Sequence, residues 1–314
     1  MTPRYDLICI GLAIMDSIIR GFDPEPVSAT GYRAGTGSLN VGGDAVNEVM
    51  AAAKLGLRTA ILCSVGNDTA GRAITDSLEA AGVDTGLILH SDEHPTPITT
   101  IFVKEDGNRV SITNTAHSYN FHPELMPDAF TDTRALILGS LFRAPFNDPE
   151  VIHQVLTAAK QKGILVFADT KLPNFRRLSL DDISDSLPMI DYITPNEDEA
   201  RYYTGKDDPE SMADVFLAAG AKNVIIKLGG KGCFMKNKDA AYRIPAHSID
   251  AIDATGAGDN FIAGFASEIL RGSTCEEALR FANACGAICT TMVGAGSALT
   301  GRGQVLEFLA GTQN

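Results

Sequence analysis

Short apolar runs rich in β-branched residues recur along the chain, separated by stretches with helical spacing. Residues 7–10, 59–65, 135–138, 165–168, 192–194 and 223–227 read as strands. Between them, residues 45–55, 69–81, 151–162, 197–204 and 211–219 carry amphipathic helical patterns. Strands apolar at nearly every position, alternating with helices, predict an α/β fold whose parallel sheet is covered on both faces. Two segments break this rhythm. Residues 12–41 are rich in Gly, Pro and polar side chains, and 96–103 and 109–114 alternate like hairpin arms about Glu105-Asp106-Gly107-Asn108. The two segments are expected to form a small β lid subdomain, 12–41 with 96–119. The core domain then comprises 1–11, 42–95 and 120–314, mostly helical from about residue 255.

Charge narrows the partners. The 314 residues hold 26 Lys+Arg against 39 Asp+Glu, a formal charge of −13, with no basic block. Such a chain repels phosphate backbones and anionic lipid, which argues against nucleic-acid and membrane-surface work. The length suits one large domain or two unequal ones. The six cysteines form no CxxC pair and no zinc spacing, and most sit in apolar runs. The first residues, MTPRYDLICIG, lack a signal-peptide pattern, and no apolar run reaches the ~20 residues of a membrane span. A reduced, cytoplasmic protein is the expectation.

Ligands of open α/β sheets bind beyond the carboxyl ends of the strands, so the residues after each strand deserve the closest reading. Asp16, Ser140 to Arg143, Asp169 to Lys171, Asn196 and Gly229-Gly230 cluster there. The strongest pattern is Asp253-Ala254-Thr255-Gly256-Ala257-Gly258-Asp259-Asn260-Phe261, which opens an apolar-periodic helix. Gly256, Ala257 and Gly258 would leave backbone N–H groups at a helix N-terminus, an anion site suited to a phosphate or to charge developing during its transfer. Asp259 then has two readings, a helix cap or a general base toward an attacking hydroxyl. Upstream, Asn40-Val41-Gly42-Gly43-Asp44-Ala45-Val46-Asn47-Glu48 pairs glycines that admit a ligand with an Asn47 able to bond hydroxyls.

Taken together, the GG-x-x-x-N segment, the N-x-x-E at Asn196 to Glu199 and the D-x-x-G-A-G-D from Asp253 resemble the signatures of the PfkB-type, ribokinase-like carbohydrate kinases. Order and separation match over essentially the whole chain, whereas the P-loop and protein-kinase patterns are absent. The resemblance implies a ribokinase-like three-layer α/β/α fold with a small β-sheet lid. It implies Asp259 as the base and Gly256, Ala257 and Gly258 as the anion hole, with Asp16, Gly42, Gly43 and Asn47 on the sugar hydroxyls. Asn196 and Glu199 would organise Mg²⁺ near ATP, through water. The run Lys227-Leu228-Gly229-Gly230-Lys231-Gly232 resembles the nucleotide-binding turn, so Lys227, Gly229 and Gly232 become cofactor contacts, with Asn283 lining the adenine pocket. Asp253 and the loop around Gly294 match a region that holds a monovalent cation such as K⁺. A homodimer through the lid is also implied, although Ile98, Ile101 and Val103 do not share one parity.

Some positions depart from the family pattern. Asp44 stands where many sugar kinases carry Lys or Ala, Ala254 replaces a common Thr, and residues 139–143 lack an acid expected near the sugar. Arg143 and Lys171 lie just past strand ends; Lys171 reads as a substrate contact, Arg143 as a surface ion pair. Four functions follow, headed by an ATP-dependent kinase for a hydroxyl of a free sugar or sugar-like polyol. A nucleoside kinase, a phosphosugar or sugar-acid kinase, and a non-catalytic sugar sensor stand behind it.

Overall fold

The computed structural model describes residues 2–21, 34–103, 109–114, 121–173, 176–296 and 298–311. Its centre is an eight-stranded sheet in the order β14-β13-β12-β11-β10-β9-β1-β4. The strands are β1 (Tyr5–Ile10), β4 (Thr59–Leu62), β9 (Thr133–Leu141), β10 (Leu165–Thr170), β11 (Tyr192–Thr194), β12 (Asn223–Lys227), β13 (Cys233–Asn237) and β14 (Ala241–Ile244). From β4 to β12 every neighbour is parallel, and β13 and β14 extend the edge antiparallel.

Alternation along these strands explains their unbroken apolar runs. Leu7, Cys9, Ile137, Phe167 and Ile225 enter one core, with Val46 and Val49 of α1 (Asp44–Lys54), Ile74 of α2 (Thr69–Ala80) and Phe265 of α7 (Ala257–Arg271). The intervening Ile8, Ile10, Leu136, Leu138 and Val166 enter a second core. That core is completed by Phe130 of α3 (Pro127–Phe130), Val155 of α4 (Pro149–Gln161), Ala200 of α5 (Glu197–Thr204) and Phe216 of α6 (Pro209–Ala218). Side chains of period two thus feed two helical layers, giving an α/β/α sandwich. Two further helices, α8 (Cys275–Cys289) and α9 (Arg302–Gly311), join the first layer through Leu279 and Val305.

Both segments that break the α/β rhythm contribute to one four-stranded sheet, ordered β3-β2-β7-β8. It contains β2 (Ile14–Arg20), β3 (Thr36–Gly42), β7 (Ile98–Val103) and β8 (Arg109–Thr113). The arms β7 and β8 pair antiparallel as the hairpin reading requires; its turn, residues 105–108, lies outside the described residues. The run at 59–65 is not one strand: it breaks at Cys63, and β5 (Ser64–Gly66) leaves the main sheet to pair with β6 (Leu89–Ser91).

Helix starts divide into two kinds. Asp68, Asp148, Asn196, Asp208 and Thr274 cap α2, α4, α5, α6 and α8 with side-chain oxygens. By contrast, α1 and α7 begin at Gly43 (φ 99°) and Gly256 (φ 77°) with no side-chain cap. Both of these helices follow the glycine motifs.

Candidate active site

The N-termini of α1 and α7 meet over the carboxyl ends of β9 and β10. Asn47, one turn into α1, donates its Nδ2 to Asp259 Oδ2 at 2.7 Å. Asp259 is 4% exposed and caps nothing, so its carboxylate is not there to end a helix. Burial, reinforced by the charge of Asp44, pushes its pKa up to about 7, while Lys171 and the Asn47 hydrogen bond oppose the rise. A carboxylate poised near neutrality beside uncapped helix N-termini can accept a proton from a hydroxyl placed against it.

Glycines make the approach feasible. A Cβ on Gly42 would lie 2.4 Å from Asp16 Oδ2, so only glycine lets the sheet carboxylate sit against this loop. At Gly256 a Cβ would meet Ala295 Cβ at 2.3 Å, and the positive φ independently favours glycine. Asn260 secures the same turn, donating Nδ2 to the Gly256 and Ala295 carbonyls at 2.8 Å each. The Ala257 N–H is taken up inside the turn by Ala254 O, 3.2 Å away.

A charged cluster lies beneath. Lys171 Nζ is 3.4 Å from Asp44 Oδ1, 3.4 Å from Asp169 Oδ2 and 3.9 Å from Asp259 Oδ1. Asp169 is fully buried and also accepts from Lys227 Nζ and from Thr194 Oγ1. Burial works against its charge, yet Lys227 and Lys171 hold its pKa below the usual range. Asp44 accepts from the Ser140 hydroxyl, and Ser140 itself adopts φ 65° where the pairing of β9 with β10 shifts register. Glu48 is buried with neither carboxyl oxygen hydrogen-bonded, and a Cβ on Gly139 would lie 2.9 Å from its Oε2. Glu48, Asp169 and Asp259 each bring an oxygen within 4.8 Å of the others. Burial, then neighbouring carboxylates, drives the Glu48 pKa well up.

Asp16, on β2, faces the same space, its pKa lifted to about 6 by burial and then by the charge of Asp44. On the other side of the anion turn, Lys227 Nζ is 3.2 Å from where a Gly258 Cβ would be. Next to it, Asn196 and Glu199 form a reciprocal capping box on α5, and Glu199 Oε2 also accepts from Thr170 Oγ1 at 2.9 Å.

The sequence pattern of the pfkB family carbohydrate kinases spans residues 5–301. A ribokinase of Haemophilus influenzae is 32% identical over 274 residues, covering 85% of this chain and 87% of its own. The chain belongs to the pfkB family of carbohydrate kinases. A 2-dehydro-3-deoxygluconokinase of Bacillus subtilis is 29% identical and is covered to 89%, as is this kinase. Among solved structures, Arabidopsis thaliana ribokinase complexed with ribose and ATP superposes with a TM-score of 0.85 at 26% identity, covering 98% of this kinase and 99% of that chain.

The expected site residues of the kinase do not all lie together. Asp259, Gly256 to Gly258, Gly42, Gly43, Asn47, Asp16 and Lys171 come together around the starts of α1 and α7. Asn196, Glu199 and Lys227 flank them, Asn196 and Lys227 forming a parallel bridge that joins α5's start to the end of β12. Glu199 is buried rather than a solvated helix residue. Asp253 borders the anion turn, its Oδ1 accepting from Thr255 and its Oδ2 from the Gly294 N–H at 3.1 Å. Asn283 stands apart on α8, donating to Pro245 O at 3.2 Å beside a cavity of about 390 Å³ walled by Ile244, Pro245, His247 and Arg280. Gly229 and Gly232 shape the turn after β12, where a Cβ on Gly232 would lie 2.0 Å from Ile244 O.

Of the two basic residues past strand ends, Arg143 differs from expectation. Arg143 makes no surface ion pair among the described residues; its Nε holds the Leu172 carbonyl at 2.7 Å. Lys171 faces the cleft, but its charge is already met by Asp44, Asp169 and Asp259. Asp169 was placed among the polar residues past the strands without a role of its own, and no motif gave Glu48 or Asn260 one. A polar residue following a buried strand was the available signal for Asp169; no spacing rule marks Glu48.

Proposed function

We propose that this kinase transfers the γ-phosphoryl group of ATP to a hydroxyl of a neutral sugar or sugar-like polyol. The observation that carries the reading is the Asp259 carboxylate, buried, bonded to Asn47 and lifted to about 7 beside the uncapped start of α7. A substrate hydroxyl held by Asp16, Asn47 and the backbone at Gly42 and Gly43 gives its proton to Asp259. Its oxygen then attacks the γ-phosphorus in line, while the anion turn faces the charge that develops on the phosphoryl oxygens. With the Ala257 N–H engaged inside the turn, donors beside Gly256 and Gly258 do most of this work.

Lys227, Gly229, Gly232 and Asn283 are assigned to the nucleotide. The cavity beside Asn283, apolar along Ile244 and Pro245, suits a purine ring. Asn196 and Glu199 fit a water-mediated Mg²⁺ site, since their oxygens are partly committed to each other and a buried carboxylate attracts a hard cation. When bound there, Mg²⁺ would supply charge neutralisation for the phosphoryl transfer. Asp253 is assigned to a monovalent cation such as K⁺, a reading supported by its link to the Gly294 loop.

Charge favours a neutral acceptor over a phosphosugar or sugar acid. Asp16 and Asp44 line the cleft, and the one cleft-facing lysine on β10's exit is encircled by carboxylates. The four-stranded sheet is assigned the role of lid, excluding water from the transfer. Pairing registers put Asp16 and Thr99 on one of its faces and Leu39, Ile98, Val110 and Ile112 on the other. These four apolar side chains are exposed, which supports a homodimer clasped through the lid. The six unpaired cysteines and the absence of a membrane-length apolar helix among the described residues suit a cytoplasmic enzyme.

A coupled ADP-release assay with Mg·ATP against free sugars, nucleosides, sugar acids and phosphosugars tests the reading. A preference for a neutral sugar or polyol is expected. Nucleoside-selective turnover would transfer the assignment to a nucleoside kinase, and a preference for anionic sugars would overturn the charge argument. Calorimetric sugar binding without phosphorylation would make it a sensor.

A further inference from the structure

We propose that Lys171 is a second catalytic residue, its ammonium donating a hydrogen bond to the same substrate oxygen that Asp259 deprotonates; this rests on the sugar-kinase reading above. Lys171 leaves β10 with its backbone fixed on both sides. Its N–H donates to Leu141 O at 2.9 Å, and its carbonyl accepts from the Tyr203 hydroxyl at 2.7 Å. Tyr203 in turn stacks on Phe142 with ring centroids 4.2 Å apart. So anchored, the side chain keeps 23% of its surface open and points its ammonium among three carboxylates.

All three carboxylate distances, 3.4, 3.4 and 3.9 Å, exceed a charge-assisted N–H···O⁻ bond of about 2.7–2.9 Å. Among the described residues, attraction therefore holds the ammonium in place without saturating its three donors. Lys227 differs, since it is hydrogen-bonded to Asp169 and only 11% exposed. Because Asp259 Oδ1 and Lys171 Nζ lie 3.9 Å apart, one oxygen in the cleft can reach both at ordinary hydrogen-bond lengths. Lys171 thus lies against two members, Asp169 and Asp259, of the acid cluster that Glu48 completes.

In the reaction the hydroxyl proton passes to Asp259, the oxygen bonds to the γ-phosphorus and the bond from phosphorus to ADP breaks. Lys171 keeps its own proton throughout and offsets the negative charge that builds on the attacking oxygen. The charged and titratable groups around it are Asp44 and Glu48 on α1, Asp169 on β10, Glu199 on α5, Lys227 on β12 and Asp259 on α7. The first of these carboxylates, with Asp169 and Asp259, keep the ammonium charged against its burial.

The test compares Lys171→Met with wild type, measuring kcat and KM for the preferred sugar across pH and the ATP Kd by calorimetry. The role predicts a fall in kcat of about 10²–10³ on the pH plateau, the usual cost of losing one such donor, with ATP Kd within about twofold. Lys171→Arg should recover part of the loss. Should Lys171→Met not fold, the double variant Lys171→Met/Asp44→Asn removes a neighbouring charge with it, and Asp44→Asn alone is its reference. Equal plateau turnover, or a loss that disappears at alkaline pH because only the ionisation of Asp259 has moved, overturns the proposal. A wild-type enzyme that phosphorylates no sugar contradicts the underlying reading instead.

Discussion

Asn47 and Asp259 are 212 residues apart in the chain and 2.7 Å apart in the fold. Each stands in the first turns of a helix that begins at a glycine, and the bond between them welds the two motifs into one site. Removing the donor tests that weld. Asn47→Ala should move the acid limb of kcat/KM to higher pH, since its hydrogen bond favours the ionised carboxyl. Loss of a hydrogen bond to a charged group, about 1.5–3 kcal/mol, predicts a fall in kcat/KM of roughly 10–150-fold. A pH–rate profile superposable on wild type would show that the bond is structural only.

The pH dependence of wild type follows from the base itself. Burial and the charge of Asp44 put Asp259 at about 7, so it is protonated and idle below that value and ionised above it. The logarithm of kcat/KM should rise with unit slope up to about pH 7 and then level off. Full activity at pH 5 would contradict the assignment.

Gly256 should tolerate no side chain. Alanine there meets Ala295 Cβ at 2.3 Å and must hold φ near 77°, a region that costs about 1–2 kcal/mol without glycine. Gly256→Ala is expected to lower both Tm and kcat, whereas Gly303→Ala, in open space on α9, should lower neither. Differential scanning fluorimetry with steady-state kinetics reads both.

The outer face of the four-stranded sheet makes a prediction about assembly. Leu39 and Ile112 are 72% and 65% exposed and lie on one face with Ile98 and Val110. Light scattering should report a dimer for wild type and a monomer for Ile112→Asp. A monomeric wild type at micromolar concentration contradicts the clasp.

Much of this architecture could be read from residue order. The helix at 197–204 was legible to the residue from its helical pattern, and the structure adds that Asn196 and Glu199 fix its start as a reciprocal capping pair. Buried strands announced themselves through continuous apolar runs, each feeding two cores at once. The break at Cys63 was not legible: the buried Cys63 and Val65 continue the run of β4, and only pairing with distant β6 separates β5. The antiparallel edge β13 and β14 was missed for a related reason, since its outer strand alternates exposed and buried positions without a strong apolar run. Within the site, both glycine motifs and Asp259 were visible. The company of Lys171 was not, because Asp44, Asp169 and Asp259 come from three separate elements and charge pairing has no sequence period.

The most direct measurement is single-turnover phosphoryl transfer by Asp259→Asn, alongside its calorimetric affinity for Mg·ATP. Asparagine keeps the shape and can still face Asn47, but it cannot take the hydroxyl proton. Transfer to the sugar should slow by about 10²–10⁴ while nucleotide affinity is retained. Turnover close to wild type would contradict Asp259 as the base and, with it, the account of this cleft.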